Sequence, residues 1–143
     1  MTEQEKDIKS ILRFTDYIVE EIEFKYNEKY EQKKKVKIDF DIDSNIFYNQ
    51  GKDKAKVTLD VSVFKEPEKN NYPFYFFVRI SGFFELQNIE TEDSLSIMEK
   101  NTIAILFPYV RALISSFTAN ANVNPLILPP INVVKLIEAK KNN

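Results

Sequence analysis

The chain contains no cysteine and no histidine. Without cysteine there is no disulfide, no thiol nucleophile and no thiolate metal site, and a chain free of disulfides favours the reducing cytoplasm. Without histidine the commonest general base and metal ligand near neutral pH is missing, which excludes Ser-His-Asp, Cys-His and HExxH sites. We therefore expect a cytoplasmic protein that is not an enzyme and that holds no metal and no cofactor.

Glycine is also scarce, and neither sign of charge dominates. The two glycines, Gly51 and Gly82, are too few and too far apart for a phosphate-binding loop or a dinucleotide fingerprint. A net charge of -2 and a pI near 5.3 argue against a nucleic-acid partner. Residues 1–10 lack the apolar stretch of a signal peptide, and no later apolar run has the length of a bilayer span, so we expect no membrane insertion.

Two charged runs could be mistaken for binding sites. Asp39, Asp41 and Asp43 resemble the opening of a calcium loop, but the sixth position is not glycine and Gln50 replaces the bidentate glutamate. Residues 33–37, KKKVK, could contact nucleic acid or an acidic partner. The acidic balance of the whole chain favours a solvated segment for both runs.

The 143 residues are predicted to form a single domain, residues 1–143.

Residues 2–13 can form a short helix. Residues 17–26 alternate like a strand if a bulge lies near Val19 to Glu21. Apolar and polar residues alternate strictly over residues 36–42 and 55–63. The apolar residues have even numbers in the first of these predicted strands and odd numbers in the second. A hairpin across residues 49–53 must therefore pair even with odd positions, which places the aspartates near Lys56 and Thr58.

Residues 73–86 are apolar on both sides. One face carries Phe74 and Phe76, and the other carries Tyr75, Phe77 and Phe83. A strand in a two-layer domain needs only one apolar face, so the second must meet another layer, another subunit or a ligand.

Residues 91–119 read as a long helix, although Pro108 inside it should cost roughly 3 kcal/mol unless packing compensates. Further prolines at 125, 129 and 130 interrupt the chain, and residues 132–140 can form a last amphipathic helix. Strands followed by helices indicate an α+β fold: a four-stranded antiparallel sheet with a long helix in the C-terminal half and a short final helix.

Several of these segments carry motifs of a known family. LFPYVR (residues 106–111), followed by PLILPPIN (residues 125–132), resembles the signature of SecB-type export chaperones, in which an LFPYAR helix precedes an L-x-P-x-N-F segment. KIDFD (residues 37–41) and SGFFEL (residues 81–86) resemble two strand motifs of that family. The resemblance implies a SecB-like chaperone domain, assembled as a homotetramer (a dimer of dimers), that holds unfolded polypeptides without ATP.

The resemblance also implies where clients would bind. The groove would be lined by the first connection, the second strand and the C-terminal helix, at Tyr26, Tyr30, Val36, Ile38, Phe40, Ile42, Leu126, Leu128, Val134 and Ile137. The strand positions among them could equally be ordinary core. The apolar surplus elsewhere predicts an oligomer interface at Tyr75, Phe77, Phe83, Phe107, Val110 and Ile114.

The sequence leaves open whether the protein, besides its clients, also binds the SecA motor. Export chaperones of this family dock on the SecA motor through acidic outward positions on the first and fourth strands, and Glu21 matches one of them. Lys25, Tyr75 and Phe77 depart from the pattern, and the tail carries lysines instead of acidic residues. Protection of a dedicated client such as an antitoxin, in a toxin-antitoxin system, is therefore a rival to protein translocation. A structural or interaction module with the same fold but no chaperone activity is the alternative from another class.

Overall fold

Four strands and three helices make up the part of the chain that the computed structural model describes, residues 11–32, 35–129 and 131–141. In chain order these elements are β1 (Ile11–Tyr26), β2 (Phe40–Tyr48), β3 (Lys54–Val63), α1 (Pro67–Asn70), β4 (Phe74–Gln87), α2 (Glu92–Asn120) and α3 (Val133–Lys141). The strands form one antiparallel sheet in the order β1-β4-β3-β2, and α2 packs on one face. The predicted α+β architecture is confirmed; α1 was not predicted.

Strand β1 pairs with β4 along its whole length and contains two irregularities. The register shifts between Val19 and Glu21, which confirms the predicted bulge, and also between Phe14 and Asp16. The predicted helix over residues 2–13 is wrong where it can be compared, because Ile11 already begins β1. The rest of that prediction lies outside the described residues.

Strands β2 and β3 form a hairpin in the predicted parity. Ile42 lies opposite Val61, an even position against an odd one, so both apolar sets face α2. The aspartates are misplaced in the prediction: Asp41 lies opposite Ser62 and Asp43 opposite Asp60, because β2 begins at Phe40 and runs on to Tyr48.

Strand β2 begins at Phe40 and not at residue 36 as predicted, and the path of the chain after its partner β3 explains why. Phe64 follows β3 with a left-handed φ of 57°, and its N–H donates to Asp39 O at 2.8 Å. The chain turns away from the sheet there, so no strand is available to pair with Val36 and Ile38. These two residues precede β2 instead of belonging to it.

The core lies between α2 and the even-numbered face of β4. Phe76, Val78 and Ile80 are fully buried, as are Leu106 and Val110 of the helix. At Gly82 the helix comes very close: a Cβ there would lie 3.0 Å from Leu106 Cδ1 and 3.0 Å from Phe84 Cε2. The glycine therefore permits the close contact between sheet and helix.

Helix α2 keeps its length despite Pro108. Thr91 caps its N-terminus by accepting a hydrogen bond from Ser94 N at 3.0 Å. By length and composition the helix could cross a membrane, which contradicts the expectation that no apolar run is long enough. Its contacts with the sheet account for that composition, since the core helix of a two-layer domain is equally apolar.

Three predicted interface residues belong to the core of this chain. Phe107, Val110 and Ile114 are buried beneath the sheet, and a side chain with almost no accessible surface cannot add area to an interface. Their assignment to the oligomer interface is therefore wrong. Tyr75 and Phe77 are half-buried on the opposite face of the sheet, as is Phe83, and for these the prediction stands untested.

Candidate functional site

An open apolar cavity of about 390 Å³ lies at one end of the sheet, and we call it the groove. Three chain segments enclose it: the connection between β1 and β2, the connection between β3 and β4, and the segment after α2. Among the residues that the structure describes, none of those that line it is charged; they are Tyr30, Val36, Ile38, Phe64, Pro73, Phe74, Asn124, Pro125, Leu126 and Ile127.

The first wall of the groove is held in place by a buried asparagine. Asn27 Nδ2 donates to Pro67 O (3.1 Å) and to Tyr72 O (2.9 Å), while Asn27 Oδ1 accepts from Lys29 N (3.0 Å). The backbone N–H of Asn27 donates to Pro73 O at 3.0 Å. Because buried polar groups are costly when unpaired, this set of bonds fixes the connection that carries Tyr30.

A second asparagine joins the same two segments further along. Asn71 has a left-handed φ of 53°, which asparagine tolerates better than most residues. Its Oδ1 accepts from Glu31 N at 2.9 Å and its Nδ2 donates to Glu31 O at 3.1 Å. The first wall is thus attached to the β3–β4 connection on both sides of Tyr30.

The floor of the groove is aromatic. Phe64 packs edge-on against Phe74, with ring centroids 5.2 Å apart, and lies 4.8 Å from the ring of Tyr72. Phe64 was missed in the sequence because it breaks the parity of β3. The signal was an apolar residue directly after the last strand position, Val63, and just before the polar stretch KEPEKNN.

The second wall is residues 124–129, which we call the anchored segment because side chains of α2 bind its backbone. Thr118 Oγ1 accepts from Leu126 N (2.9 Å), and Ser115 Oγ donates to Leu126 O (3.1 Å). Arg111 donates from Nε and Nη2 to Leu128 O (3.1 and 2.9 Å). Arg111 is the last residue of the LFPYVR motif, so this motif contributes to the construction of the groove wall.

Ile127 is a second groove residue that the sequence analysis missed although the sequence carried a signal for it. It is 68% exposed, whereas Leu126 and Leu128 on either side are buried. The signal was the short apolar run LIL between Pro125 and Pro129, where alternation sends the middle residue outward.

The predicted client-binding residues separate into several groups. Tyr30, Val36, Ile38 and Leu126 meet in the groove. Tyr26 is 63% exposed but lies in a different depression, beside the α1 region. The assignment is wrong for Ile42, Leu128 and Ile137, which are core residues with too little exposed surface to meet a client. The side chains of Phe40 and Val134 are half-buried against the core, outside the groove lining.

Helix α3 is joined to the sheet by ion pairs. Lys140 Nζ lies 2.7 Å from Asp41 Oδ1 and 2.7 Å from Asp43 Oδ1, and Lys65 Nζ lies 2.9 Å from Asp41 Oδ2. Burial raises the pKa of Asp41, but the hydrogen bonds from Lys140 and Lys65 outweigh it and hold that pKa below its usual value. The hydrogen bonds from both aspartates raise the pKa of Lys140.

The outer face of the sheet carries Glu21, the predicted docking position. Glu21 is exposed and lies opposite Arg79, whose guanidinium makes a two-bond pair with Asp60 at 2.8 and 3.0 Å. Lys25 lies opposite Tyr75 on the same pair of strands. No group of three acidic side chains that could hold a metal occurs among residues 11–32, 35–129 and 131–141.

Comparison with known proteins gives consistent matches. The family model described as preprotein translocase subunit SecB matches residues 14–143. An uncharacterized protein of Methanocaldococcus jannaschii is 40% identical over 140 residues, which cover 94% of this chain and 90% of that protein. The protein-export protein SecB of Bartonella bacilliformis is 32% identical over 110 residues, 77% of this chain and 67% of the relative.

A solved structure shares the fold. It is a SecB-like chaperone of Mycobacterium tuberculosis in complex with a peptide from an antitoxin, with a TM-score of 0.64 and 14% sequence identity. The match covers 84% of this chain and 87% of the other. At that identity the likeness concerns the fold alone.

Proposed function

Since this chain belongs to the SecB family, whose members are chaperones and not enzymes, we propose that it holds unfolded polypeptides in the groove without ATP. The observation that supports the groove as the site is its lining: a cavity of about 390 Å³ whose described lining residues include no charged side chain. Unfolded clients expose scattered apolar side chains, and several weak contacts of this kind along one chain add up to useful retention.

We propose two possible destinations for the client. One is export, in which the client passes to the SecA motor, and the other is protection of a dedicated cytoplasmic client such as an antitoxin. The SecB-like chaperone of M. tuberculosis binds an antitoxin peptide. The basic and aromatic departures at Lys25, Tyr75 and Phe77 favour protection, because docking that depends on charge loses on-rate when acidic groups are replaced. Titration calorimetry against the motor from the same organism at low salt distinguishes the two, and micromolar binding would restore the export reading.

We also propose that the protein is a homotetramer. In the part of the chain that the structure describes, apolar side chains are exposed on the outer face of the sheet around Phe77 and on the side of α2 and β1, where the rings of Tyr17 and Tyr109 lie tilted with centroids 4.5 Å apart. Tyr17, Ile22 and Tyr109 are each more than a third exposed. Exposed aromatic and aliphatic side chains close together on one side of a subunit are typical of an interface.

The test of the chaperone proposal is suppression of aggregation. Wild-type protein should slow the light-scattering increase of several unrelated unfolded proteins in the absence of nucleotide. Ile38→Asp places a charge in the groove lining and should weaken holding by about tenfold, because an unpaired charge in an apolar contact is strongly disfavoured. Leu136→Asp is the matched control, since Leu136 is 40% exposed on α3 and lies outside the groove and off the outer face of the sheet.

Circular dichroism must show that both variants are folded. Wild-type protein that leaves every aggregation rate unchanged would favour the interaction module over the chaperone. Equal activity of the two aspartate variants would move the binding site away from the groove.

A further inference from the structure

The anchored segment is extended and runs antiparallel to α2. Arg111 and Ser115 are four residues apart on the helix, a rise of about 6 Å. The carbonyls that they bind, those of Leu128 and Leu126, are two residues apart, which in an extended chain is about 6.6 Å. The two spacings match those of a nearly fully extended segment. Burial alternates along it accordingly.

The open edge of this segment carries an unused backbone pair. In an extended chain the backbone N–H and C=O of successive residues point to opposite edges. The N–H and C=O of Leu126 and the C=O of Leu128 bond side chains of α2, so the N–H and C=O of Ile127 point the other way. Neither group has a hydrogen-bond partner in the described part of the chain, and the residue is largely exposed beside the groove.

In the sequence around Ile127, the main groups that can hydrogen-bond a client are the backbone N–H and C=O of Ile127 itself. Residues 112–134 contain no charged side chain, and Pro125 and Pro129 have no N–H to offer. The amide and carbonyl of Ile127 are therefore a donor and an acceptor side by side, which is the arrangement that an added strand requires.

We infer that Ile127 hydrogen-bonds the backbone of an extended client segment, exchanging N–H···O=C bonds with one client residue. The side chains of neighbouring client residues then enter the apolar groove. This inference rests on the proposed function and specifies how the client is recognised: by its main chain, which every unfolded polypeptide shares. Arg111, Ser115 and Thr118 are positioning residues that hold the open edge in place.

The test compares two substitutions of Ile127 in the full-length chain, with reduced and carboxamidomethylated lysozyme as the unfolded probe. Ile127→Ala removes the side chain and keeps the backbone pair, whereas Ile127→Pro also removes the N–H while suiting an extended backbone. We expect Ile127→Pro to bind the probe about three- to tenfold more weakly than Ile127→Ala, the amount that one net hydrogen bond supplies. Melting curves check that both variants fold.

Amide exchange in the wild-type chain provides a second measurement that needs no variant. The amide at position 127 should exchange freely in the isolated protein and about tenfold more slowly, or slower still, when the probe is bound. Equal binding by the two variants, or unchanged exchange at position 127 in the loaded complex, overturns the inference while the chaperone proposal stands. Protection of that amide without probe would show that a second copy of the chain occupies the edge, which also overturns it. Failure of the wild type to bind the probe at all refutes the proposed function itself.

Discussion

Thr118 provides the sharpest test of how the groove wall is built. Its side chain is fully buried, and its Oγ1 donates to Ile114 O at 2.8 Å while accepting from Leu126 N at 2.9 Å. Thr118→Val preserves the shape of the side chain and removes the acceptor. The N–H of Leu126 then stays in a buried position without a partner.

The expected loss follows from that single unpaired group. A buried donor without an acceptor costs about 1–3 kcal/mol, so Thr118→Val should lower the free energy of unfolding by about 2 kcal/mol. Thr118→Ser keeps the hydroxyl and removes one methyl group, which costs about 1 kcal/mol or less. The two variants together separate the hydrogen bond from the packing.

Urea unfolding at fixed protein concentration measures both values, because assembly would make stability depend on concentration. The matched control is Thr102→Val in the same helix. Thr102 is also buried, but its hydroxyl donates only to Glu99 O within the helix, so its loss leaves no N–H unpaired. We expect the control to change stability by less than about 1 kcal/mol. If Thr118→Val proves as stable as wild type, or no less stable than Thr102→Val, the anchoring of the groove wall by α2 is refuted.

Two further predictions concern the contacts of the helices with the sheet. Gly82→Ala should destabilise the protein by about 1–3 kcal/mol, because its Cβ would lie 3.0 Å from side-chain atoms of Leu106 and Phe84; a thermal melt no lower than wild type would show that the core can relax there. Lys140→Met should cost no more than about 1 kcal/mol at neutral pH, because its ion pairs are partly exposed. Since the folded pKa of Asp41 is below the ordinary 3.8, its stabilisation is present above that pH and lost as the pH falls through the lowered value. The stability difference between wild type and Lys140→Met should therefore shrink below pH 3.8, and a difference that grows in acid would contradict the assignment.

The linear pattern of the sequence determined which residues share a face. Strict alternation fixed the even-to-odd pairing of β2 with β3, and the broken parity near Val19 located a real bulge. The predicted long helix, residues 91–119, agrees closely with α2 (Glu92–Asn120), and the prolines marked the break that follows. These features depend on residues close together in the chain, so local chemistry suffices to predict them.

Tertiary contacts decided which of those faces are covered. Phe107, Val110 and Ile114 were predicted for an interface, yet they lie in the core because Gly82 lets α2 approach the sheet closely. Val36 and Ile38 became groove lining and not strand because Phe64, distant in the sequence, turns the chain away from them. Ile127 faces outward because Arg111, Ser115 and Thr118 bind the opposite edge of its segment. Periodicity specifies direction relative to chain neighbours, whereas burial depends on what the fold brings to that side, and only the packed structure determines it.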